Sequence, residues 1–290
     1  MTSKTQPHTG SPVPRRSRRR PRQTIEHALL FIGVVLLLAP MVWFVSIAFR
    51  PPEESYQLIP GSLTLSNFPA MLDRVPAMGK YMLDSFLITG GTVLVTCVAA
   101  SMGGFAFARI AFPGREIIFW SIVATLFIPI TTAVAALYLQ LFEMRLLDTR
   151  IGLILVYSAW QLAMGMLIMR GIFGSIPKDL EESARLEGAS MWQVLWLIYA
   201  PLARGGIIIV ALITFVYAWG EYLIAFTFSG TDVVPMSLAI QFFEPTPSDP
   251  TYNFNVAVAA ALIMFVPSIL IYLVFQRQFS KGIMEGALKG

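Results

Sequence analysis

Long apolar stretches dominate the hydropathy pattern of this 290-residue chain. Six stretches are mostly apolar, and each is near or above the ~20 residues that a helix needs to cross a bilayer. They are 28–49, 85–108, 117–142, 151–169, 205–229 and 253–276. Five of them contain no charged residue, and 205–229 contains only Glu221. Because the apolar runs are continuous rather than alternating, they predict six transmembrane α-helices instead of barrel strands.

The composition supports a membrane protein. Hydrophobic residues make up 56% of the chain and charged residues 13%, whereas soluble domains carry about 25% charged residues. The mean hydropathy of +0.68 agrees with this. The single cysteine, Cys97, excludes a disulfide scaffold and a cysteine-based metal site. We therefore expect an all-α integral membrane protein without a bound metal.

Basic residues are distributed unevenly between the connections. If the N-terminus is cytoplasmic, 16 of the 21 Lys and Arg residues lie on the cytoplasmic side of the six spans and 5 lie outside. Positively charged loops are retained in the cytoplasm. We therefore expect both termini to be cytoplasmic.

Residues 1–24 form a basic segment that is rich in Arg, Pro, Ser and Thr. This composition predicts a disordered cytoplasmic tail, with residues 25–290 forming the membrane domain. The Arg-rich run at 15–20 is typical of a topology signal that also contacts anionic membrane lipid. Because neither aromatic residues nor a folded nucleic-acid-binding motif follow the run, we expect no nucleic-acid partner.

The connection between the fourth and fifth spans, residues 175–201, carries helix signals at both ends. Pro177 and the acidic residues after it favour a helix N-terminus, and Gly188 favours a left-handed stop. Ser190 and Gln193 have the spacing of a capping box for a second helix. These signals predict a helix-turn-helix elbow, and a solvated amphipathic linker is the alternative.

This segment resembles the EAA loop of binding-protein-dependent ABC importer permeases. In that loop Glu-Ala-Ala is followed after three residues by Gly and after nine more by Ile-x-Leu-Pro. The chain matches the pattern at Glu182, Ala184, Gly188, Ile198 and Pro201. It departs from the pattern at two positions, with Ser183 in place of Ala and Ala200 in place of Leu. The C-terminal end and the residues around the loop are similar to the carbohydrate branch of this family, which includes maltose permeases.

The resemblance implies a type I ABC importer permease fold and a mechanical role. In such importers the EAA helix lies in a cleft of a cytoplasmic ATPase subunit. Its docking positions fall on Glu182, Ser183, Ala184 and Gly188. The tail at 277–290, with Lys289 and Gly290, is similar to the tail that runs toward the ATPase dimer, and the loop at 230–252 to one that reaches the binding protein.

The resemblance also implies several partners. They are a second homologous permease, two ATPase subunits, an extracytoplasmic solute-binding protein and a sugar or polyol as the solute. The chain has no P-loop of its own, because Gly79 and Lys80 are followed by Tyr81 rather than by Ser or Thr. We therefore expect no catalysis and no cofactor in this chain, with ATP and Mg²⁺ used by the ATPase subunits.

Glu221 is the acidic residue inside a predicted span, which makes it a candidate for function. The alternatives are a carboxylate that reaches the outer interface and one that pairs with the partner permease. The family commonly has Asn where Gly220 stands. Candidates for lining the substrate path are Trp219, Glu221, Tyr157, Gln161 and Asn255. For each of these residues, a purely structural role is the alternative.

The sequence therefore predicts a multi-pass permease subunit in the inner membrane of a prokaryote. It would form half of the translocation path of an ATP-driven sugar or polyol importer. The alternative is a self-sufficient secondary carrier, coupled to an ion gradient through Glu221. Such coupling usually needs several intramembrane ionisable residues or broken helices, and the predicted spans contain only this one.

Overall fold

The structure, a computed structural model, describes the backbone of residues 20–244 and 253–287 and the side chains of 26–244 and 253–276. These residues form thirteen α-helices and no β-strand. The helices are α1 (Arg20–Ile47), α2 (Asn67–Arg74), α3 (Met78–Arg109), α4 (Arg115–Ala124), α5 (Val134–Glu143), α6 (Arg150–Ser175), α7 (Asp179–Leu186), α8 (Met191–Gln193), α9 (Ala200–Leu202), α10 (Arg204–Gly220), α11 (Leu223–Phe228), α12 (Met236–Ala239) and α13 (Phe254–Ala287). A π-helix at Val194–Tyr199 joins α8 to α9.

Four of the helices are long and apolar enough to cross a membrane. Their qualifying segments are Glu26–Ile47, Met78–Arg109, Arg150–Ser175 and Phe254–Gln276. A fifth span is counted if Met191–Leu202 and Arg204–Gly220, which are bent by 80° relative to each other, are taken as one. The described residues thus form an all-α protein with four or five apolar spanning helices, which is fewer than the six predicted.

The predicted span at 117–142 is not one helix. It is divided into α4 and α5, with short 3-10 turns at Thr125–Phe127 and Ile130–Thr132 between them. Pro129 explains the break, because proline lacks the N–H of a helical bond and disfavours helical geometry in the residue before it. Ile128 is accordingly extended, with φ −87° and ψ 120°.

The predicted span at 205–229 is also divided. Helix α10 ends at Gly220, and Glu221 is extended, with φ −69° and ψ 126°, before α11 begins. The first helix starts at Arg20, inside the segment 1–24 that we expected to be disordered. Arginine favours helices and proline is tolerated in the first turn, so the apolar helix continues into the basic segment. Residues 1–19 lie outside the described part of the chain.

Helices α3 and α6 pack closely and run parallel, since Arg150 at the start of α6 bonds to Asp84 near the start of α3, and Arg109 at the end of α3 bonds to the carbonyl of Phe173 near the end of α6. Small residues allow the close approach. A Cβ on Gly104 would lie 2.6 Å from the Cβ of Met169. Small residues at helix interfaces let backbones approach in membranes, where the hydrophobic effect does not drive helices together.

Helix α10 packs on the same pair. A Cβ on Gly165 of α6 would lie 2.8 Å from Ala100 of α3 and 3.3 Å from Val210 of α10. Helix α1, by contrast, packs mainly through its last turn, where Ile47 and Val258 of α13 belong to one buried cluster. Most apolar side chains of α1 before this turn are exposed.

We predict that Gly104→Ala destabilises the protein because the added methyl group meets the backbone of α6, where Arg170 N would be 2.9 Å away. Overpacking of this kind costs about 1–3 kcal/mol. The matched control is Gly90→Ala on the same helix, where a Cβ meets nothing within 4 Å. Thermal unfolding in detergent should show a lower midpoint for Gly104→Ala alone. Equal midpoints for the two variants would contradict the close approach of α3 and α6.

Candidate coupling elbow and membrane path

The structure confirms the predicted helix-turn-helix elbow. Helix α7 ends in a Schellman motif: the N–H of Ala189 donates to the carbonyl of Ala184 at 3.0 Å, and the N–H of Gly188 to that of Arg185 at 3.0 Å. Gly188 has φ +90°, in the left-handed region that favours glycine over any residue with a Cβ. The end of the turn next to α7 is therefore fixed by two hydrogen bonds.

The second arm of the elbow begins with a capping box. The Ser190 hydroxyl accepts the N–H of Gln193 at 3.3 Å, and the Gln193 side-chain oxygen accepts the N–H of Ser190 at 2.8 Å. This satisfies two backbone donors that the start of a helix leaves without intrahelical partners. The turn between the two arms is consequently short and ordered from Gly188 to Gln193.

The four docking positions implied by the resemblance do not face the same way. Glu182, Ser183 and Gly188 are exposed, whereas Ala184 is half-buried against the core cluster that contains Tyr199. Leu186 lies on the same helix and is 91% exposed. Leu186 is not one of the predicted docking positions, although an apolar residue within a polar helix is a signal that is visible in the sequence.

Glu221 lies at the break between α10 and α11. Its carboxylate accepts the backbone N–H of Ile224 at 2.9 and 3.1 Å and that of Ala225 at 3.0 Å. The hydroxyl of Tyr157, a buried residue of α6, also donates to it at 2.9 Å. The carboxylate thus satisfies donors at the start of α11 and ties the break to α6.

The structure brings Tyr157 and Glu221 together but separates the other path candidates. Gln161, one turn from Tyr157, donates to the carbonyl of Ile213 in α10 at 3.5 Å. Trp219 is buried and donates to the carbonyl of Met264 in α13 at 3.0 Å.

Asn255 belongs to another part of the chain. It is fully buried, and its amide donates to the carbonyls of Ile47, Arg50 and Pro51 at 2.8–3.3 Å. These carbonyls lie at the last residue of α1 and just after it, so Asn255 joins α1 to α13. Among the five path candidates, therefore, Tyr157 and Glu221 are the pair that a hydrogen bond joins within the described residues.

The connection after α11 is held by Asp148, which precedes α6. The carboxylate of Asp148 accepts four consecutive backbone N–H groups, those of residues 230–233, at 2.7–3.0 Å. Burial of Asp148 opposes its ionisation, but these four donors outweigh that effect and lower its pKa below the ordinary carboxyl value. The carboxylate therefore remains charged at neutral pH and fixes the start of this connection.

A second carboxylate extends the same contact. Asp84 of α3 is completely buried, pairs with Arg150 at 2.6 Å and accepts the N–H of Val234 at 3.3 Å. Residues 245–252 of the predicted binding-protein loop lie outside the described residues, as do Lys289 and Gly290 of the tail.

Comparisons with known proteins give the family. Residues 10–285 match the family described as "Binding-protein-dependent transport system inner membrane component". The chain is 31% identical to the diacetylchitobiose uptake system permease protein NgcG of Streptomyces coelicolor, over 91% of this chain and 88% of that relative. It is 29% identical to the trehalose transport system permease protein SugB of Mycobacterium tuberculosis, over 90% of this chain and 95% of the relative.

A solved structure shows the same fold. A chain in the crystal structure of a bacterial ABC transporter involved in the import of the acidic polysaccharide alginate superposes with a TM-score of 0.79 at 21% identity. The match covers 91% of this chain and 99% of that chain. The protein therefore belongs to the family of binding-protein-dependent transport system inner membrane components, the permease subunits of ABC importers, as the EAA-like residues implied.

Proposed function

We propose that this protein is one of two permease subunits of an ATP-driven importer for a sugar or related polyol. The observation that carries the proposal is the ordered elbow with its exposed helix α7, in a chain of this permease family. A partner ATPase dimer binds ATP and Mg²⁺, and an extracytoplasmic solute-binding protein delivers the solute. This chain supplies half of the path and performs no catalysis.

The elbow suits the transmission of force. Helix α7 presents Glu182, Ser183 and Leu186 to solvent, and we infer that this face, with Gly188 at its end, docks into the ATPase while Ala184 fixes the helix to the spans. A short helix held by a Schellman motif and a capping box transmits a displacement, whereas a flexible loop would absorb it. We propose that the C-terminal tail, with Lys289 and Gly290, contributes to binding of the ATPase dimer.

We infer that six segments cross the inner membrane of a prokaryote, with both termini in the cytoplasm. Besides the four long helices, α10 has 17 residues and would span about 25 Å at 1.5 Å per residue, and α4 with α5 would form the sixth. The uneven distribution of basic residues supports this orientation. The exposed apolar face of α1 and a groove of about 280 Å³ between α10 and α13 would face lipid or the second permease.

The relatives support a carbohydrate as the solute, because two of them are named for diacetylchitobiose and trehalose. We propose that the loop at 230–252, whose first four residues are held by Asp148, contacts the binding protein. Tyr157, Gln161 and Trp219 remain candidates for the path, and Tyr157 with Glu221 forms its best-defined polar pair. An ion-coupled secondary carrier is not favoured, because the Glu221 carboxylate is occupied by backbone donors.

Affinity purification tests the proposed assembly. The protein is tagged at its C-terminus and extracted from its native membrane in mild detergent, and mass spectrometry identifies the chains that co-purify. We expect an ATPase chain and a second permease of this family. A stable homo-oligomer with neither partner would contradict the proposal.

We predict that Gly188→Asp uncouples transport from ATP hydrolysis while membrane insertion is retained. A side chain at φ +90° is strained by roughly 1–2 kcal/mol, although a Cβ there meets nothing within 4 Å, so the turn changes without a steric clash. Uptake and ATP hydrolysis are measured together in proteoliposomes. The control is Gly174→Ala, near the C-terminal end of α6, where an added Cβ also meets nothing within 4 Å. Wild-type uptake per ATP in Gly188→Asp would overturn the docking assignment.

We predict that Glu221→Gln retains most of the transport activity, because the amide oxygen still accepts the N–H groups of Ile224 and Ala225. Glu221→Leu removes this acceptor and should reduce the yield of folded complex, since buried donors without partners cost about 1–3 kcal/mol each. Uptake is measured with each variant at equal amounts of complex. Loss of uptake in Glu221→Gln, with complex yield unchanged, would indicate that the carboxylate must titrate and would favour the ion-coupled carrier.

A further inference from the structure

Tyr199 is a buried tyrosine at the point where α3, α6 and the elbow meet. Its side chain is completely buried. Its ring lies edge-on to Phe105 of α3, with 5.2 Å between centroids, and to Phe173 of α6, with 5.8 Å between centroids. Tyr199 itself belongs to the second arm of the elbow, so its ring joins this arm to two helices that are distant in sequence.

Arg109, at the end of α3, links the same ring to the end of α6. Its guanidinium lies 4.9 Å from the Tyr199 ring centroid, a distance typical of a cation–π contact. The same group donates to the backbone carbonyls of Phe173 and Ile176. These carbonyls belong to the last turn of α6 and the residue after it, where a helix leaves acceptors without intrahelical partners. Arg109 therefore closes the end of α6 and stacks on Tyr199.

The Tyr199 hydroxyl points to α7, the helix that we propose docks into the ATPase. It donates to Oε2 of Glu181 at 3.2 Å, and Glu181 is only 9% exposed. Glu181 also lies 3.6 Å from Arg185, one turn along α7. Glu181 is thus the acidic residue of α7 that faces the membrane domain, whereas its neighbour Glu182 faces solvent.

The backbone before Tyr199 has an unusual form. Residues Val194–Tyr199 form a π-helix, and Pro201 follows two residues later. Proline removes one helical N–H and its ring clashes with the preceding turn, which favours a local widening. Short π-helical segments are frequent at functional sites. Here the widened turn ends at the residue that reaches Glu181.

We propose that Tyr199 is a positioning residue that fixes α7 to the ends of α3 and α6, so that displacement of α7 by the ATPase moves both spans. This inference rests on the proposed function, and it identifies the contact that connects the docking surface of α7 to the spans. The ring and Arg109 hold the spans, and the hydroxyl holds the coupling helix. Tyr199→Phe separates these two roles, because it removes only the hydroxyl.

Hydrogen–deuterium exchange on the purified complex tests the link directly. We expect Tyr199→Phe to increase amide exchange in residues 183–187 by about three- to tenfold, the effect of losing one hydrogen bond that restrains a short helix. The matched control is Tyr217→Phe, because the Tyr217 hydroxyl is buried without a hydrogen-bond partner among the described residues. Unchanged exchange in Tyr199→Phe, or an equal increase in Tyr217→Phe, would overturn the proposal.

Variants of Glu181 complete the test. Glu181→Gln keeps an oxygen that accepts the tyrosine hydroxyl and should leave exchange in α7 near wild type. Glu181→Leu should behave like Tyr199→Phe, and the double variant should be no worse than either single one, because both act on one bond. Additive effects in the double variant would show that the two side chains act separately, which overturns the link.

Uptake per ATP hydrolysed in proteoliposomes then tests the consequence. We expect Tyr199→Phe to lower this ratio while the ATPase still co-purifies in wild-type amounts. Loss of the ATPase from the complex would instead assign Tyr199 to docking and overturn the positioning role. If the wild-type complex itself shows no ATP-dependent uptake, the proposed function fails, and the exchange measurement still decides whether Tyr199 holds α7.

Discussion

The constraint on which this structure depends is that backbone N–H and C=O groups within a bilayer must find partners inside the protein. Unbroken helices meet this condition by themselves, but this chain contains breaks and early helix ends. At three of these points a polar side chain supplies a partner. Glu221 accepts the first N–H groups of α11, Arg109 donates to the last carbonyls of α6, and Asn255 donates to those after α1.

This use of polar residues bears on how the protein works. A carboxylate that accepts several backbone N–H groups, as Glu221 does, is fixed in place, which suits a structural role better than the binding and release of an ion. The breaks are also positions at which a helix can change direction without exposing its backbone. Helix α10 meets Met191–Leu202 at 80°, and the elbow is thereby separated from the span that follows it. Motion at the elbow can then act on α3 and α6 as units, because small residues pack them closely.

Different parts of the structure were predictable for different physical reasons. The elbow could be predicted in detail because its signals are local: Gly188 needs its left-handed conformation, and Ser190 and Gln193 bond across three residues. The break at Pro129 could also have been predicted, since proline in the middle of an apolar run disfavours a continuous helix. The break at Glu221 could not, because it depends on Tyr157, 64 residues away, and on donors of the following helix. The contact of Arg109 with Tyr199 is non-local in the same way.

The difference between the two acidic neighbours in α7 shows what the fold adds to a motif. Glu181 and Glu182 are adjacent in sequence and identical in chemistry, and the EAA-like pattern selects Glu182. On a helix, consecutive residues point about 100° apart, so one carboxylate faces Tyr199 and the other faces solvent. The proposed coupling role needs both directions, because a surface that binds an ATPase can move the spans only if the opposite face of the helix is held by them. The motif therefore includes Glu182 on the exposed face of α7 but omits Glu181, whose contact with Tyr199 lies on the buried face.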